Sequence, residues 1–175
     1  VTLDTAVDAP VTVDYTTNDD TATSADNNTS GDQDYLDSSG TLTFVGQAGE
    51  EQTIGVDVNG DNVVEATEEL FVSLSNVLAS GREDAITTRA DDAGTANDDE
   101  SVGELTITNN DSAVLSIESA SSVVEGGTGQ LVVTLSNPVD VDITYDHATA
   151  DGTATTADND YTNASAAAVV FCNAD

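Results

Sequence analysis

Lysine is absent from this chain and arginine occurs only at Arg82 and Arg89, so 34 acidic residues face two cations and the formal net charge is −32 over 175 residues. Two arginines seven residues apart cannot build a basic patch, which argues against nucleic acid, anionic membranes and acidic polymers as partners. Lacking lysine, the chain cannot form the lysine–asparagine crosslinks that stiffen some surface fibres. Cys172 is the single cysteine, so no disulfide forms within the chain and the redox compartment is left unread. One cysteine and one histidine cannot assemble a zinc cluster either. No apolar run approaches the ~18 residues that span a bilayer, so membrane insertion is not expected. With neither a signal peptide nor a methionine, the chain reads as a mature or excised segment.

The acids that are present need a counter-charge. Two carboxylates 4 Å apart repel by roughly 4 kcal/mol at a protein-surface dielectric, against a total stability of about 5–15 kcal/mol for a domain. Salt or divalent cations are the natural compensation. High charge with few aromatics can also signal disorder, but the patterning opposes it. Val11–Tyr15, Thr41–Phe44, Ile54–Val58, Leu70–Ser75, Leu105–Thr108, Val114–Ile117, Leu131–Leu135 and Val141–Tyr145 alternate apolar and polar residues with a period of two. They are rich in β-branched residues and bounded by Gly, Asn and Asp. No stretch keeps an apolar stripe at helical spacing, so the chain is expected to be all-β, burying one face of each strand in a sandwich.

The end of the chain repeats its beginning. Val133-Thr134-Leu135, Tyr145, Thr153-Ala154-Thr155-Thr156-Ala157-Asp158, Asp160-Tyr161 and Phe171 match Val1-Thr2-Leu3, Tyr15, Thr21-Ala22-Thr23-Ser24-Ala25-Asp26, Asp34-Tyr35 and Phe44, at offsets of 126 to 132. One unit is therefore about 130 residues with an internal loop of variable length, as in a tandem array. Six of the seven aromatics fall in matched pairs, and only Phe71 stands outside them. Matched aromatics in so poor a chain mark recurring core positions.

Strands are dense up to Ser75, a polar acidic excursion from Ser80 to Ser101 interrupts them, and Asn109-Asn110-Asp111 closes the first unit. The expected division is 1–112 and 113–175, the first unit lacking its first strand and the second its later strands. Missing strands would come from flanking sequence or a neighbouring molecule. With almost no linker between Thr108 and Val114, the units should be closely coupled.

Acids gather at turns: Asp61, Glu65, Glu68 and Glu69 between the Val58 and Leu70 strands, Asp34 before Tyr35, and Asp111 at the unit's end. Calcium takes six to eight oxygens at about 2.3–2.6 Å, and loops at one end of a sandwich can supply such a set. The order Thr21 to Asp26, Asp34-Tyr35, Gly40 to Phe44, Gly49-Glu50, Ile54 to Val58, Asp61 with Glu65 and Glu68, and Leu70 to Ser75 resembles the Calx-beta domain. Glu125-Gly126-Gly127, Asp151-Gly152-Thr153-Ala154 and Asp160-Tyr161 extend the resemblance into the second unit. It implies an immunoglobulin-like antiparallel β-sandwich binding Ca2+ at one end, with ligands at Asp34, Asp61, Glu65, Glu68 and Asp111, and at Glu125 and Asp160 of the second unit. Acidic triplets typical of the family's richest sites are reduced here to Gly60-Asp61-Asn62 and Asn109-Asn110-Asp111, which implies fewer ions or affinity nearer the 0.1 to 1 mM of extracellular modules.

Catalysis is not expected. His147 falls in an apparent Asp146-His147-Ala148 turn, but no Gly-x-Ser-x-Gly elbow accompanies it and Thr17 holds the matching place in the first unit. Among 34 acids, pairs at glycosidase spacing arise by chance. Sequons at Asn27, Asn28, Asn110 and Asn163 speak only for exposure. The expected function is a calcium-stiffened structural module of an extracellular or cell-surface adhesin or filament, its partners calcium and neighbouring units of the array or head-to-tail copies of itself. The alternatives are a calcium-sensing regulatory domain of a transporter or receptor, and an acidic surface adapted to high salt without a specific ion site.

Overall fold

The computed structural model describes residues 1–24, 33–88, 102–119 and 121–171. Those residues form ten strands and one three-residue 3-10 turn, Glu83–Ala85. They group into two compact units, Val1–Asp61 with Thr67–Thr108, and Asn62–Ala66 with Asn109–Asp175.

In the first unit, β2 (Val11–Asp19) and β5 (Glu68–Leu78) form the centre of a four-stranded antiparallel sheet, flanked by β3 (Ser39–Phe44) and β6 (Val102–Ile107) in the order β3-β2-β5-β6. The period of two becomes burial through register. Val11 pairs with Phe44 and Val13 with Leu42, so all four point to one face and are buried with Ala79. Each such side chain contributes about 1.5–3 kcal/mol on leaving water. Leu3, Val7 and Ile54 pack against this cluster from the facing layer, which carries the short ribbon of β1 (Thr2–Leu3) and β4 (Glu50–Glu51). A second cluster of Ala22, Tyr35 and Leu70 lies under Val56, Val72 and Ile107.

Two expectations need correction. Ile54–Val58 forms no ladder strand. Its alternation reflects burial of Ile54 and Val56 in the two clusters, while it bonds irregularly to the segment before β3: Leu36 N–H donates to Asp57 O at 2.9 Å and Asn59 N–H to Asp34 O at 2.8 Å. His147 is not in a turn. It lies within β9 (Ile143–Ala148) opposite Ala166 of β10 (Ser165–Phe171), its ring 6.0 Å from that of Tyr145.

The excursion begins with an exposed bidentate pairing of Arg82 to Asp8. Glu83 accepts the N–H groups of Ala79 and Gly81 at 2.8 and 3.1 Å, which curls the chain into its 3-10 turn. Positions 89–101 of the excursion, with Arg89, lie outside the described residues, as do Cys172, Asn27 and Asn28.

The second unit is built from two ribbons, β7 (Leu115–Ile117) with β8 (Val133–Leu135) and β9 with β10, and from Val64, which bridges Val139 in parallel. The rings of Tyr145 and Phe171 meet at 5.6 Å between centres, tilted by 39°. Among the described residues, every buried one belongs to the first unit. No helix of the described residues is long and apolar enough to cross a membrane.

Candidate cation site and the loop closures

Asp34 is buried, 6 % exposed, ten positions beyond Ser24 in the sequence. Its Oδ2 accepts the Thr23 N–H at 2.6 Å, and its own N–H returns to the Thr23 carbonyl at 3.0 Å. Beside it, Asp19 Oδ1 accepts the Ser24 N–H at 2.9 Å and the Tyr35 hydroxyl at 2.5 Å. Burial, and then the bond and charge of Asp19, push the Tyr35 phenol well above its ordinary pKa. Ala22 and Tyr35 bury this closure against Leu70.

The second unit builds the same closure. Thr155 N–H donates to Asp160 Oδ2 at 2.9 Å, Asp160 N–H to the Thr155 carbonyl at 3.1 Å, and Asp151 Oδ1 accepts Thr156 N–H at 3.0 Å and the Tyr161 hydroxyl at 2.6 Å. These bonds, the Tyr161 hydroxyl first, hold the Asp151 carboxyl below the usual carboxylate range.

The other expected ligands are placed differently. Glu68 is not in the turn but opens β5 opposite Ile107. Asp61 and Glu68 belong to the first unit and Glu65 to the second. Asp111 sits in an Asn109-anchored turn, its N–H donating to Asn109 Oδ1 at 3.1 Å and its carbonyl accepting the Asn109 amide at 3.1 Å. Glu125 is exposed in the turn Val124–Gly127, where Gly126 has φ +83° and Gly127 N–H closes to Val124 O at 2.9 Å, the form of a type II turn. Among the described residues no three Asp, Glu, His or Cys side chains come together as a metal ion requires. Asp34 and Asp160 each accept a backbone N–H group.

Asp19 was not singled out in the sequence, and Asp151 only as part of the Asp151-Gly152-Thr153-Ala154 motif without a role of its own. Their signal was in the repeat: Asp19 precedes Thr23-Ser24 as Asp151 precedes Thr155-Thr156, and a tyrosine recurs after the matched aspartate.

An all-β, antiparallel sandwich with repeated loop closures defines a class of module rather than a single protein. The chain belongs to the Calx-beta family: the Calx-beta domain model matches residues 1–100 and again 108–174. Its fold is accordingly an immunoglobulin-like sandwich. A solved structure described as "Crystal structure of calcium binding domain CBD12 of CALX1.1" aligns over 94% of this chain at 19% identity with a TM-score of 0.40, and this chain spans 58% of that one's length. No curated protein matches the chain.

Proposed function

We infer that the chain is a structural binding module of a repetitive protein outside the cell, an adhesin or filament, whose acidic turns take up calcium as counter-charge, and that it is not an enzyme. The observation that carries this reading is the pairing of two Calx-beta matches in one chain with a net charge of −32. The ligand candidates are Asp34, Asp61 and Glu68 in the first unit and Glu65, Asp111, Glu125 and Asp160 in the second. With no preformed cage among the described residues, the turns would have to close around the ion, which fits weak, millimolar binding better than tight sensing. An ion bound only to the folded form at about a hundred times its dissociation constant adds ~2.7 kcal/mol, a large share of a marginal domain's stability.

A regulatory sensor in a transporter or receptor is the less supported reading. Arg82 already pairs with Asp8, and a chain with two arginines has little cationic surface with which to define an ion-free state.

Thermal unfolding under titration with calcium, magnesium and sodium at matched ionic strength tests the proposal. A rise in melting temperature with millimolar calcium, exceeding that with magnesium or sodium, is expected. An equal rise with every salt would replace ligation by simple screening.

A further inference from the structure

The two loop closures carry an inference that does not depend on the calcium reading. Each consists of the same four hydrogen bonds on matched residues: Thr23 with Asp34 in both directions, Ser24 to Asp19 and Tyr35 to Asp19; then Thr155 with Asp160 in both directions, Thr156 to Asp151 and Tyr161 to Asp151. Between them the surroundings change completely. Tyr35 and Ser24 are fully buried and Asp34 nearly so, whereas Asp151 and Asp160 are exposed. The enclosed loop changes too, since the Thr23 to Asp34 bond spans 11 positions and the Thr155 to Asp160 bond spans five. A geometry that persists while burial and loop length vary is set by the bonding residues themselves. Neither the loop contents nor anything the loop might hold is needed to explain it.

The chemistry also runs against a cation at these carboxylates. N–H and phenolic O–H donors point their hydrogens at Asp34 Oδ2, Asp160 Oδ2, Asp19 Oδ1 and Asp151 Oδ1. A metal bound through those oxygens would have to share or displace the donors, and in the first unit displacing the part-buried Thr23 or Ser24 N–H costs it a partner. We propose that Asp19 with Asp34, and Asp151 with Asp160, are the carboxylates of a metal-independent clasp that ties Thr23-Ser24 to Asp34-Tyr35 and Thr155-Thr156 to Asp160-Tyr161, so that Asp34 and Asp160 are not calcium ligands and the number of residues between the tied ends can vary.

Amide hydrogen exchange on the full chain, in EDTA and again in saturating calcium, tests this together with two substitutions. In EDTA the Thr23, Ser24, Thr155 and Thr156 amides should exchange at least about tenfold more slowly than unstructured amides of the same sequence, with less than a twofold change on adding calcium. Asp34→Asn retains an acceptor oxygen but loses the charge that strengthens calcium ligation, so it should keep Thr23 protected and leave the calcium isotherm unchanged. Asp34→Ala should expose Thr23 to fast exchange. Because Asp34 is buried and its alanine variant can unfold, Asp160→Asn and Asp160→Ala provide the same contrast at Thr155 on an exposed site. Protection that appears only with calcium, or a tenfold loss of calcium affinity in Asp34→Asn or Asp160→Asn, would overturn the clasp while leaving the calcium reading intact. Protection in EDTA from a chain that binds no calcium would uphold the clasp and remove the calcium reading.

Discussion

At the level of single residues, backbone conformation makes two predictions of opposite sign. Gly46 has φ +98°, and a Cβ placed on it would lie 2.4 Å from the Val7 carbonyl oxygen and 2.7 Å from that of Ala9. The same approach lets Val7 N–H donate to Gly46 O at 3.0 Å, so the crowding belongs to a bond that ties the first segment to the turn after β3. Gly46→Ala should cost roughly 2–4 kcal/mol, the sum of left-handed strain and a clash with backbone that cannot rotate away, read as a lower urea midpoint. Ala168 shows the reverse. It has φ +52° where β10 carries one extra residue between Ala166 and Val169, and its N–H is held by Asp146 Oδ1 at 2.8 Å. Alanine pays for that left-handed geometry, so Ala168→Gly should stabilise by about 0.5–1 kcal/mol. Asn76 has φ +51° at a separate irregularity, in β5, and donates its amide to Asp14 at 2.7 Å; asparagine is a residue type that tolerates the conformation. A midpoint for Ala168→Gly at or below that of the parent would show that the bulge is not strained.

Strands with the same sequence mark do not have the same energetic weight. Phe44 is 3 % exposed within the β2–β3 cluster, whereas its repeat partner Phe171 is only half-buried, set against Tyr145 in a two-stranded ribbon. Phe44→Ala should therefore cost about 3–5 kcal/mol and Phe171→Ala less than half as much, followed by far-UV circular dichroism during chemical unfolding. Equal losses would show that the second ribbon is as well packed as the first sheet. The contrast explains what could be read from the chain. Val11–Tyr15 and Thr41–Phe44 were legible because pairing and burial coincide, placing Val11, Val13, Leu42 and Phe44 on one face. Ile54–Val58 was read as a strand because alternation records which side chains are buried and is silent on whether the backbone is laddered. Ser165–Ala168 in β10 carries no alternation at all and is visible only through the match of Phe171 to Phe44. The acids are harder to read for a related reason. A carboxylate that accepts backbone N–H groups and one that ligates a cation occupy the same turns with the same neighbours, and the donors aimed at Asp34 and Asp160 are not displayed by a sequence.

Across the whole molecule, charge sets the response to pH and salt. Asp8, Asp14, Glu83 and Asp151 are held below the ordinary carboxylate range by Arg82, by Thr41 and Asn76, by the Ala79 and Gly81 amides, and by Tyr161 and Thr156 respectively. A carboxyl depressed in the folded state binds its proton more weakly there than in the unfolded chain, so its contribution is complete above the ordinary range, near pH 4. That contribution is lost only as pH falls through the depressed value. Self-repulsion works in the other direction. With a net charge of −32 in a compact fold, each proton taken up between pH 7 and about 4 removes repulsion that the expanded unfolded chain feels less. The two effects separate on the pH axis. Melting temperature in EDTA should rise from pH 7 toward the carboxylate range and fall again only below it, a maximum more acidic than the pH 5–8 common among proteins. Raising monovalent salt from ~0.01 to ~1 M shortens the screening length from ~30 to ~3 Å, and should raise the melting temperature strongly at pH 7 and hardly at pH 4. Parallel salt effects at both values, or a melting temperature falling steadily from pH 7 downward, would mean that specific bonds to carboxylates outweigh their mutual repulsion even at neutral pH, and that the chain needs no counter-ion to stay folded.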